Sequence, residues 1–261
     1  MLIDTHSHIH FSKEFPDQIE VLARSRIAGV TKQVLVGCNM TDSAQAYAFS
    51  KDKPELAWTI GIHPHDVGKE FNEENMATMR EVLTGQWKGE AIVKMPVAVG
   101  EIGLDYFRNL SPVDIQKEAF AAMLGLAKEF DLPVVFHIRD AYDDAFKVLA
   151  DSQHTKVVLH CFSGGLKEAE LAWSKGYITS FSGVVTYPKN LELQEVAKRA
   201  PENLFVVETD CPFLAPQKFR GQRNEPAFVA ETARFIAALR GIDQDMVDQL
   251  TTANAERLFK I

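Results

Sequence analysis

Eight short apolar runs, separated by longer segments with helical periodicity, constrain the fold of this chain more than any other feature. The runs are almost continuously apolar, which is typical of strands that are buried on both faces of a parallel sheet. Eight β/α units within 261 residues is the usual size of a (β/α)8 barrel. The predicted strands are Leu2–His6, Gln33–Cys38, Ala57–Ile62, Val97–Glu101, Pro133–His137, Lys156–His160, Tyr177–Phe181 and Leu204–Glu208.

The segments between these runs carry the start and stop signals of helices. Ser111 and Pro112 predict an N-cap followed by proline at the first helical position, and apolar residues then recur on one face as far as Phe130. Two further helices are predicted near the C-terminus, over Pro226–Leu239 and Asp245–Phe259. Three glycines follow helical patterns, as C-terminal caps do: Gly29, Gly176 and Gly241.

Two α/β architectures accommodate this alternation, the (β/α)8 TIM barrel and the doubly wound open sheet. An open sheet gathers its binding residues near one switch point, whereas a barrel collects them from the ends of many strands. The polar candidates of this chain follow many different strands, so we favour the barrel. No linker or low-complexity segment interrupts the pattern, and residues 1–261 are predicted to form a single domain.

Six residues with metal-ligand side chains stand at the C-terminal ends of predicted strands. Barrel active sites lie at that end. A cluster of imidazoles and carboxylates there indicates metal-assisted hydrolysis. The six candidates are His6, His8, Glu101, His137, His160 and Asp210.

The first strand and the fourth strand supply three of these candidates. His6 and His8 are two residues apart, so on a strand both imidazoles point to the same face and can chelate one ion. Asp4 shares that face and is placed to support them. Glu101 follows an apolar run, where an ionised carboxylate is costly unless it pairs or binds a cation. Its two oxygens can bridge two ions, and the alternative is a salt-bridged barrel glutamate.

The later strands supply the other three candidates. His137 and His160 each close an apolar run, where a single histidine is more often a satisfied core residue than a ligand. Their repeated placement at strand ends favours ligation. Asp210 can bind a metal and accept a proton from a metal-bound water. Glu208, two positions earlier, is either a supporting or second ligand or one half of a buried ion pair.

Three residues are candidates for substrate binding. His63 lies in the sequence Gly-Ile-His-Pro-His that follows the third strand. Arg139 stands two residues after His137, and Arg223 follows the last strand. Guanidinium groups at strand ends suit bidentate binding of a carboxylate or phosphate, and surface ion pairing is the alternative for both arginines.

Five further polar residues receive lesser predictions. His65 is predicted to be a loop residue or to support the site, and Asp105 either lines the pocket or caps a helix or loop. Asn224 is predicted to cap the helix that begins near Pro226. His10 and His154 are predicted to be surface or loop residues without a role.

Composition and missing motifs exclude several functions. The net charge of −8, with no basic run, argues against an extended groove for long nucleic acid, although metal ions would reverse the sign within a pocket. No dinucleotide fingerprint, P-loop or nucleophile elbow is present. Three scattered cysteines predict reduced thiols. The absence of a signal peptide and of an apolar stretch long enough to span a bilayer predicts a cytoplasmic protein that does not bind a membrane.

The ordered motifs resemble the TatD-related metal-dependent deoxyribonucleases, which are hydrolases of the amidohydrolase type. The motifs are IDTHSH, GIHPH, VGEIGLDY, FHIRDA, LHCFSG, ETDCPFLAP and RNEP, and they run from residue 3 to about residue 226. Cys211 departs mildly from the small residue expected beside Asp210 and touches no ligand position.

The resemblance implies a barrel that binds two divalent metal ions (Mg, Mn or Zn) and hydrolyses DNA phosphodiesters by exonuclease action at 3′ ends. It implies that His6, His8 and Asp210 hold one ion. His137 and His160 would then hold the other, with Glu101 between the two. Asp210 and Glu101 are the expected catalytic residues, because Asp210 can orient the attacking water or take its proton.

Two alternatives stay open at the level of sequence. One is an amidohydrolase-type enzyme that acts on a small amide, lactone or phosphotriester with nearly the same ligand set. The other is a metal-binding scaffold without catalysis. The expected partners are DNA ends or another phosphodiester, and the chain is expected to be a monomer.

Overall fold

The computed structural model describes all residues from Met1 to Ile261. All eight predicted strands are present, within four residues of their predicted boundaries, and a short hairpin is additional. The strands are β1 Leu2–Ser7, β2 Val30–Leu35, β3 Leu56–Ile60, β4 Gln86–Trp87, β5 Glu90–Ala91, β6 Ala98–Asp105, β7 Val134–Arg139, β8 Val157–Leu159, β9 Ile178–Phe181 and β10 Phe205–Val207.

Ten α-helices and three short 3₁₀ segments connect the strands. The helices are α1 Gln18–Ile27, α2 Met40–Ser50, α3 Val67–Glu70, α4 Glu73–Leu83, α5 Val113–Glu129, α6 Tyr142–Ser152, α7 Leu166–Ser174, α8 Leu191–Arg199, α9 Val229–Arg240 and α10 Gln244–Phe259. None of them combines the length and the apolar character that crossing a bilayer requires.

The strand order identifies the fold class. The eight main strands follow one another in chain order, β1-β2-β3-β6-β7-β8-β9-β10, while β4 and β5 pair only with each other. A doubly wound sheet would reverse its order at a switch point. The prediction of a (β/α)8 barrel is confirmed, and the doubly wound alternative is wrong.

The chain divides into two compact units. The terminal unit comprises residues 1–35 and 159–261. Within it, β1 and β2 pair in parallel, β9 and β10 pair in parallel, and a bridge between Ser7 and Cys211 joins the ends of β1 and β10. The helix α10 packs against both β1 and β10. This bridge determines which side chains meet at the end of β1.

The central unit comprises residues 36–158. Its strands β3, β6 and β7 are parallel neighbours, with Thr59 opposite Ala98 and Asp105 opposite Arg139. The helix α5 packs against β6, and the rings of Phe120 and Phe136 stack with centroids 4.4 Å apart in the core. Burial of each such side chain contributes about 1.5–3 kcal/mol. The prediction of one domain over residues 1–261 stays a prediction.

The start of α5 differs from its prediction. The N-cap is Pro112 rather than Ser111, with ψ of 138°, and the first helical residue is Val113. The Ser111 hydroxyl instead donates to the carbonyl of His65 at 2.9 Å and accepts the N–H of Gly68 at 3.0 Å. The Ser111 side chain, which the local pattern predicted to cap α5, is therefore engaged in a tertiary contact instead.

The other predicted helix ends agree better with the structure. Gly29, Gly176 and Gly241 have φ of 85°, 77° and 65°, the left-handed conformation of a C-terminal cap. The helix predicted from Pro226 begins as a 3₁₀ turn over Pro226–Phe228 and continues as α9, while α10 begins one residue before its predicted start.

Candidate metal centre

The ends of β1 and β10 are interlocked by backbone hydrogen bonds in the terminal unit. The N–H of Asp210 donates to the carbonyl of His6, and the N–H of His8 donates to the carbonyl of Cys211, both at 2.9 Å. Asp210 has φ of 57°, a left-handed conformation that aspartate adopts more readily than most residues. This backbone holds the Asp210 carboxylate beside the two histidines.

Three predicted ligands converge at this point. The Nε2 atoms of His6 and His8 lie 3.2 Å apart, and Oδ1 of Asp210 lies 3.8 Å from the first and 3.5 Å from the second. Ligand atoms that sit about 2 Å from a common ion are separated by about 3–4 Å. The three donor atoms therefore fit one divalent ion.

The protonation of Asp210 suits a cation ligand. Burial alone would raise its pKa, but a hydrogen bond from His8 and the positive charges that His160, His6 and His8 carry when protonated lower the pKa overall. The carboxylate is consequently ionised at neutral pH. An ionised carboxylate is both a metal ligand and a proton acceptor.

His160 lies beside His6 and is oriented by Glu208. The rings of His6 and His160 stack with centroids 3.5 Å apart, and Nδ1 of His160 lies 2.7 Å from Oε1 of Glu208. The Glu208 carboxylate also accepts the Cys161 N–H at 2.8 Å and the Ser180 hydroxyl at 2.5 Å. A histidine held through one ring nitrogen leaves the other for a metal, so Glu208 serves best as a support for His160.

Asp4 and Thr209 form a buried pair beneath these ligands. Asp4 accepts the Thr209 hydroxyl at 2.6 Å, the Thr209 N–H at 2.9 Å and the His6 N–H at 3.3 Å. Burial raises the pKa of Asp4 to about 8 in spite of these hydrogen bonds. The pair joins the residue before Asp210 to the backbone of His6.

The side chain of Asn224 also binds the backbone around Asp210. Its amide donates to the carbonyls of Thr209 at 2.8 Å and Phe213 at 2.5 Å, and its side-chain oxygen accepts the N–H of Glu225. Asn224 is fully buried, and the N-cap position before Pro226 belongs to Glu225. The prediction that Asn224 caps a helix is wrong. The Asn224 side chain instead binds the backbone before and after Asp210, at Thr209 and Phe213.

In the central unit, Glu101 and His137 meet at the ends of β6 and β7. Nδ1 of His137 lies 3.0 Å from Oε1 of Glu101, and Nε2 of His137 lies 3.2 Å from Oδ2 of Asp105. Gly61 allows the β6 backbone to pass close by at Glu101, since a Cβ at Gly61 would lie 2.7 Å from the Glu101 backbone nitrogen. The contact with Asp105 engages Nε2 and leaves Nδ1, on the side of Glu101, as the ring nitrogen that could bind a metal ion.

Asp105 makes more contacts in this part of the site than its predicted role as a pocket-lining or capping residue required. Its carboxylate also accepts Nε2–H of His65 at 2.8 Å and the Arg108 N–H at 2.7 Å, while the buried Gln116 amide holds its backbone. Burial would raise the pKa of Asp105, but the hydrogen bonds from His137, Arg108 and His65 outweigh burial and hold it below its usual value. His65 supports the site through this contact.

The protonation state of His63 follows from its contacts. The His65 N–H donates to Nδ1 of His63 at 3.2 Å, and Nε2 of His63 lies 3.4 Å from Oε1 of Glu101. Burial lowers the pKa of His63 to about 4. The ring is therefore neutral, with its proton on Nε2, and can donate one hydrogen bond towards the carboxylate or a bound ligand.

The two predicted phosphate-binding arginines have different surroundings. Arg139 ends β7, and its guanidinium lies 4.0 Å from the centroid of the Phe107 ring. Arg223 is held in the terminal unit by an ion pair with Asp17 at 2.8 Å and by a hydrogen bond to the Glu14 carbonyl at 2.7 Å. Arg223 thus matches its alternative interpretation as an ion-pair residue.

His10 and His154 lie outside the helices and strands, which agrees with the loop alternative, but the surface alternative is wrong because both are buried. Their exposed fractions are 3% and 6%, and the His10 ring packs against Phe11 with centroids 4.9 Å apart. The polar residues that sequence reasoning missed are Thr209 and Gln116. The available sequence signal for Gln116 was its position, because a polar residue there falls on the face of α5 that is otherwise apolar.

Imidazoles and carboxylates at the C-terminal ends of the strands of a (β/α)8 barrel are typical of the class of metal-dependent hydrolases. The sequence profile of the family described as TatD related DNase matches residues 3–260. The chain belongs to the TatD-related DNase family, which confirms the resemblance stated above.

Similar proteins agree with this assignment. The uncharacterized metal-dependent hydrolase YabD of Bacillus subtilis (strain 168) is 36% identical over 263 residues, with all of both chains covered. A 3′-5′ ssDNA/RNA exonuclease TatD of Rahnella sp. (strain Y9602) is 35% identical, covering 94% of this chain and 93% of the relative. The crystal structure of YJJV, a TatD homolog from Escherichia coli K12, has 30% identity and a TM-score of 0.91, covering 100% of this chain and 98% of that one.

Proposed function

We propose that this protein is a divalent-metal-dependent exonuclease that hydrolyses phosphodiester bonds at the 3′ ends of single-stranded DNA. The observation that carries the proposal is the convergence of the His6, His8 and Asp210 donor atoms within 3.8 Å of one another. Membership of the TatD-related DNase family and the exonuclease relative from Rahnella support the reaction type.

The proposed ligands are the six residues that the sequence singled out: His6, His8, Glu101, His137, His160 and Asp210. Their imidazole and carboxylate atoms suit Zn²⁺ or Mn²⁺, and the carboxylates also suit Mg²⁺. Two ions are proposed, with Glu101 as the residue shared between them. When bound, divalent ions lower the pKa of water and offset the charge that develops on the phosphoryl oxygens.

The protein groups then divide the remaining tasks. Asp210, ionised at neutral pH, orients the attacking water and accepts its proton. Glu208 and Asp105 fix the ring orientations of His160 and His137. His63 presents a neutral Nε2–H, which suits donation to a non-bridging phosphate oxygen.

The arginines are proposed to contact the substrate phosphates. Arg139 has no carboxylate partner and is the stronger of the two proposals. Arg223 would have to exchange its ion pair with Asp17 for a phosphate. Charge removal at either position should raise KM more than it lowers kcat, if the contact is equally strong in the ground and transition states.

The test is hydrolysis of a single-stranded oligonucleotide after the metal-free protein is reconstituted with Mg²⁺, Mn²⁺ or Zn²⁺. A 5′-labelled linear strand should shorten one nucleotide at a time, and a covalently closed circle of the same sequence should resist. Asp210→Asn protein, purified identically, controls for contaminating nucleases. Equal rates on the circle would show endonuclease action instead, and no hydrolysis with any of the three metals would contradict the proposal.

The same preparations should be assayed on small amides, lactones, phosphotriesters and single-stranded RNA. A small substrate that is turned over much faster than DNA would favour the amidohydrolase-type alternative. A cytoplasmic location and a monomeric state stay predictions.

A further inference from the structure

An exposed aromatic side chain lies in the turn that follows β6. Phe107 has an exposed fraction of 60% and stands two residues after Asp105. Single exposed apolar residues are common, so exposure alone assigns no role. The Arg139 guanidinium covers one face of the ring, with Cζ 4.0 Å from the centroid. Arginine stacked on an aromatic ring retains its outward hydrogen-bond donors.

The pair is positioned at the active end of its strands. Asp105 is opposite Arg139 in the β6–β7 register, and the Tyr106 N–H donates to the Arg139 carbonyl at 2.9 Å. His137 and Arg139 are two residues apart on β7, so their side chains leave the same face, about 6–7 Å apart along the strand. The Phe107–Arg139 pair thus continues outward from a proposed metal ligand.

Two of the three other arginine–aromatic contacts in the chain, those of Arg223 and Arg240, have a structural explanation that this pair lacks, while Arg220 over Tyr187 does not. Arg223 stacks on Phe15 while Asp17 neutralises it. Arg240 stacks on Phe205 while its guanidinium donates to two backbone carbonyls. Arg139 has neither an ion pair nor a hydrogen-bond acceptor for its side chain, so its charge is available to a ligand.

We propose that Phe107 and Arg139 form a stacking platform for a nucleobase near the 3′ end of the substrate. Phe107 stacks on the base through its exposed surface, and Arg139 holds the ring and binds an adjacent phosphate. This proposal rests on the exonuclease function proposed above and assigns it a recognition element. Stacking tolerates any base, and it requires an unpaired strand, because the bases of a duplex are already stacked on their neighbours.

The test compares two substrates on matched variants. One is a single-stranded oligonucleotide, and the other carries abasic residues at its last three 3′ positions. Stacking contributes about 1–3 kcal/mol per base, so Phe107→Ala should lower kcat/KM on the normal strand about tenfold, mainly through KM. On the abasic strand, Phe107→Ala and wild type should be equal, and Phe107→Trp should restore activity on the normal strand.

Phe49→Ala is the matched control. Phe49 is also an aromatic residue with a cation over its face, Lys53 at 4.3 Å, but it lies on α2 rather than at a strand end. This variant should match wild type on both substrates. Equal loss in Phe107→Ala on the two strands, or no loss on the normal strand, would overturn the platform.

A binding measurement separates this proposal from the reaction itself. An oligonucleotide with 2-aminopurine at its 3′ terminus should show fluorescence quenching on wild-type protein in chelator, and weaker quenching on Phe107→Ala. If the enzyme hydrolyses no nucleic acid, the proposed function fails while this readout still tests the platform. Identical quenching on wild type and Phe107→Ala would overturn the platform even in an active exonuclease.

Discussion

Replacing Asp105 with asparagine should disturb metal binding without removing a ligand. Oδ1 of Asp105 accepts the Arg108 N–H, while Oδ2 accepts Nε2–H of both His65 and His137. In Asp105→Asn, the amide oxygen can keep the Arg108 contact only if the amide NH₂ faces the two imidazoles. An NH₂ group can donate to Nε2 but cannot accept from it.

The consequence is a change of tautomer at His137. With an amide donor at Nε2, the neutral ring carries its proton on Nδ1, the nitrogen that lies 3.0 Å from Glu101. A protonated nitrogen cannot bind a metal ion. Loss of a carboxylate that orients a metal-binding histidine typically costs 10–100-fold in affinity, or about 1.4–2.8 kcal/mol.

Isothermal titration of the metal-free protein with Mn²⁺ or Zn²⁺ measures this loss. Wild-type protein should bind two ions, and Asp105→Asn should weaken one of them 10–100-fold while the site of His6, His8 and Asp210 keeps its affinity. Nitrogen-15 chemical shifts of the His137 ring report the tautomer independently.

Asp144→Asn is a matched control for this experiment. Asp144 is a carboxylate of the central unit that pairs with Lys117 at 2.6 Å and accepts the Tyr106 hydroxyl at 2.8 Å, without touching a histidine. It should bind metal as wild type does. Unchanged affinity in Asp105→Asn, or an equal loss in both variants, would refute the reasoning.

Three further predictions concern the terminal unit. Asp210→Asn should abolish nearly all turnover in metal-replete protein with an unchanged circular dichroism spectrum, and full activity would exclude it as the proton acceptor. Asn224→Ala should lower the free energy of unfolding in urea by about 1–3 kcal/mol for each orphaned buried carbonyl, whereas a change within error would remove its structural role. Asp17→Asn tests acid sensitivity. Hydrogen bonds from Arg223 and Arg24 hold the pKa of Asp17 below its ordinary value of 3.8, so its contribution is present above pH 3.8 and lost as the pH falls. The variant should therefore be less stable than wild type by at most about 1 kcal/mol at pH 7, a difference that narrows below pH 3.8 and that pH-dependent urea unfolding measures.

The amino-acid sequence by itself determined the fold class and the candidate ligands. Apolar runs and helical periodicity are local properties, so the β/α alternation was readable without any knowledge of long-range contacts. The positions of His6 and Asp210 at strand ends were readable for the same reason, since the end of a strand is marked by the end of its apolar run. Strand boundaries were less exact, as for β2, because local pattern does not report which backbone groups find a partner.

Only the tertiary structure decided which polar residues support those ligands. Thr209 is 205 positions from Asp4, and Asn224 is 15 positions from the Thr209 carbonyl that it binds, so no local pattern pairs them. Arg223, a phosphate-binding candidate from its sequence position, is bound by Asp17, which precedes it by 206 residues. Hydrogen bonds and ion pairs of buried side chains depend on distance in space, which is set only when the strands that carry them are packed side by side.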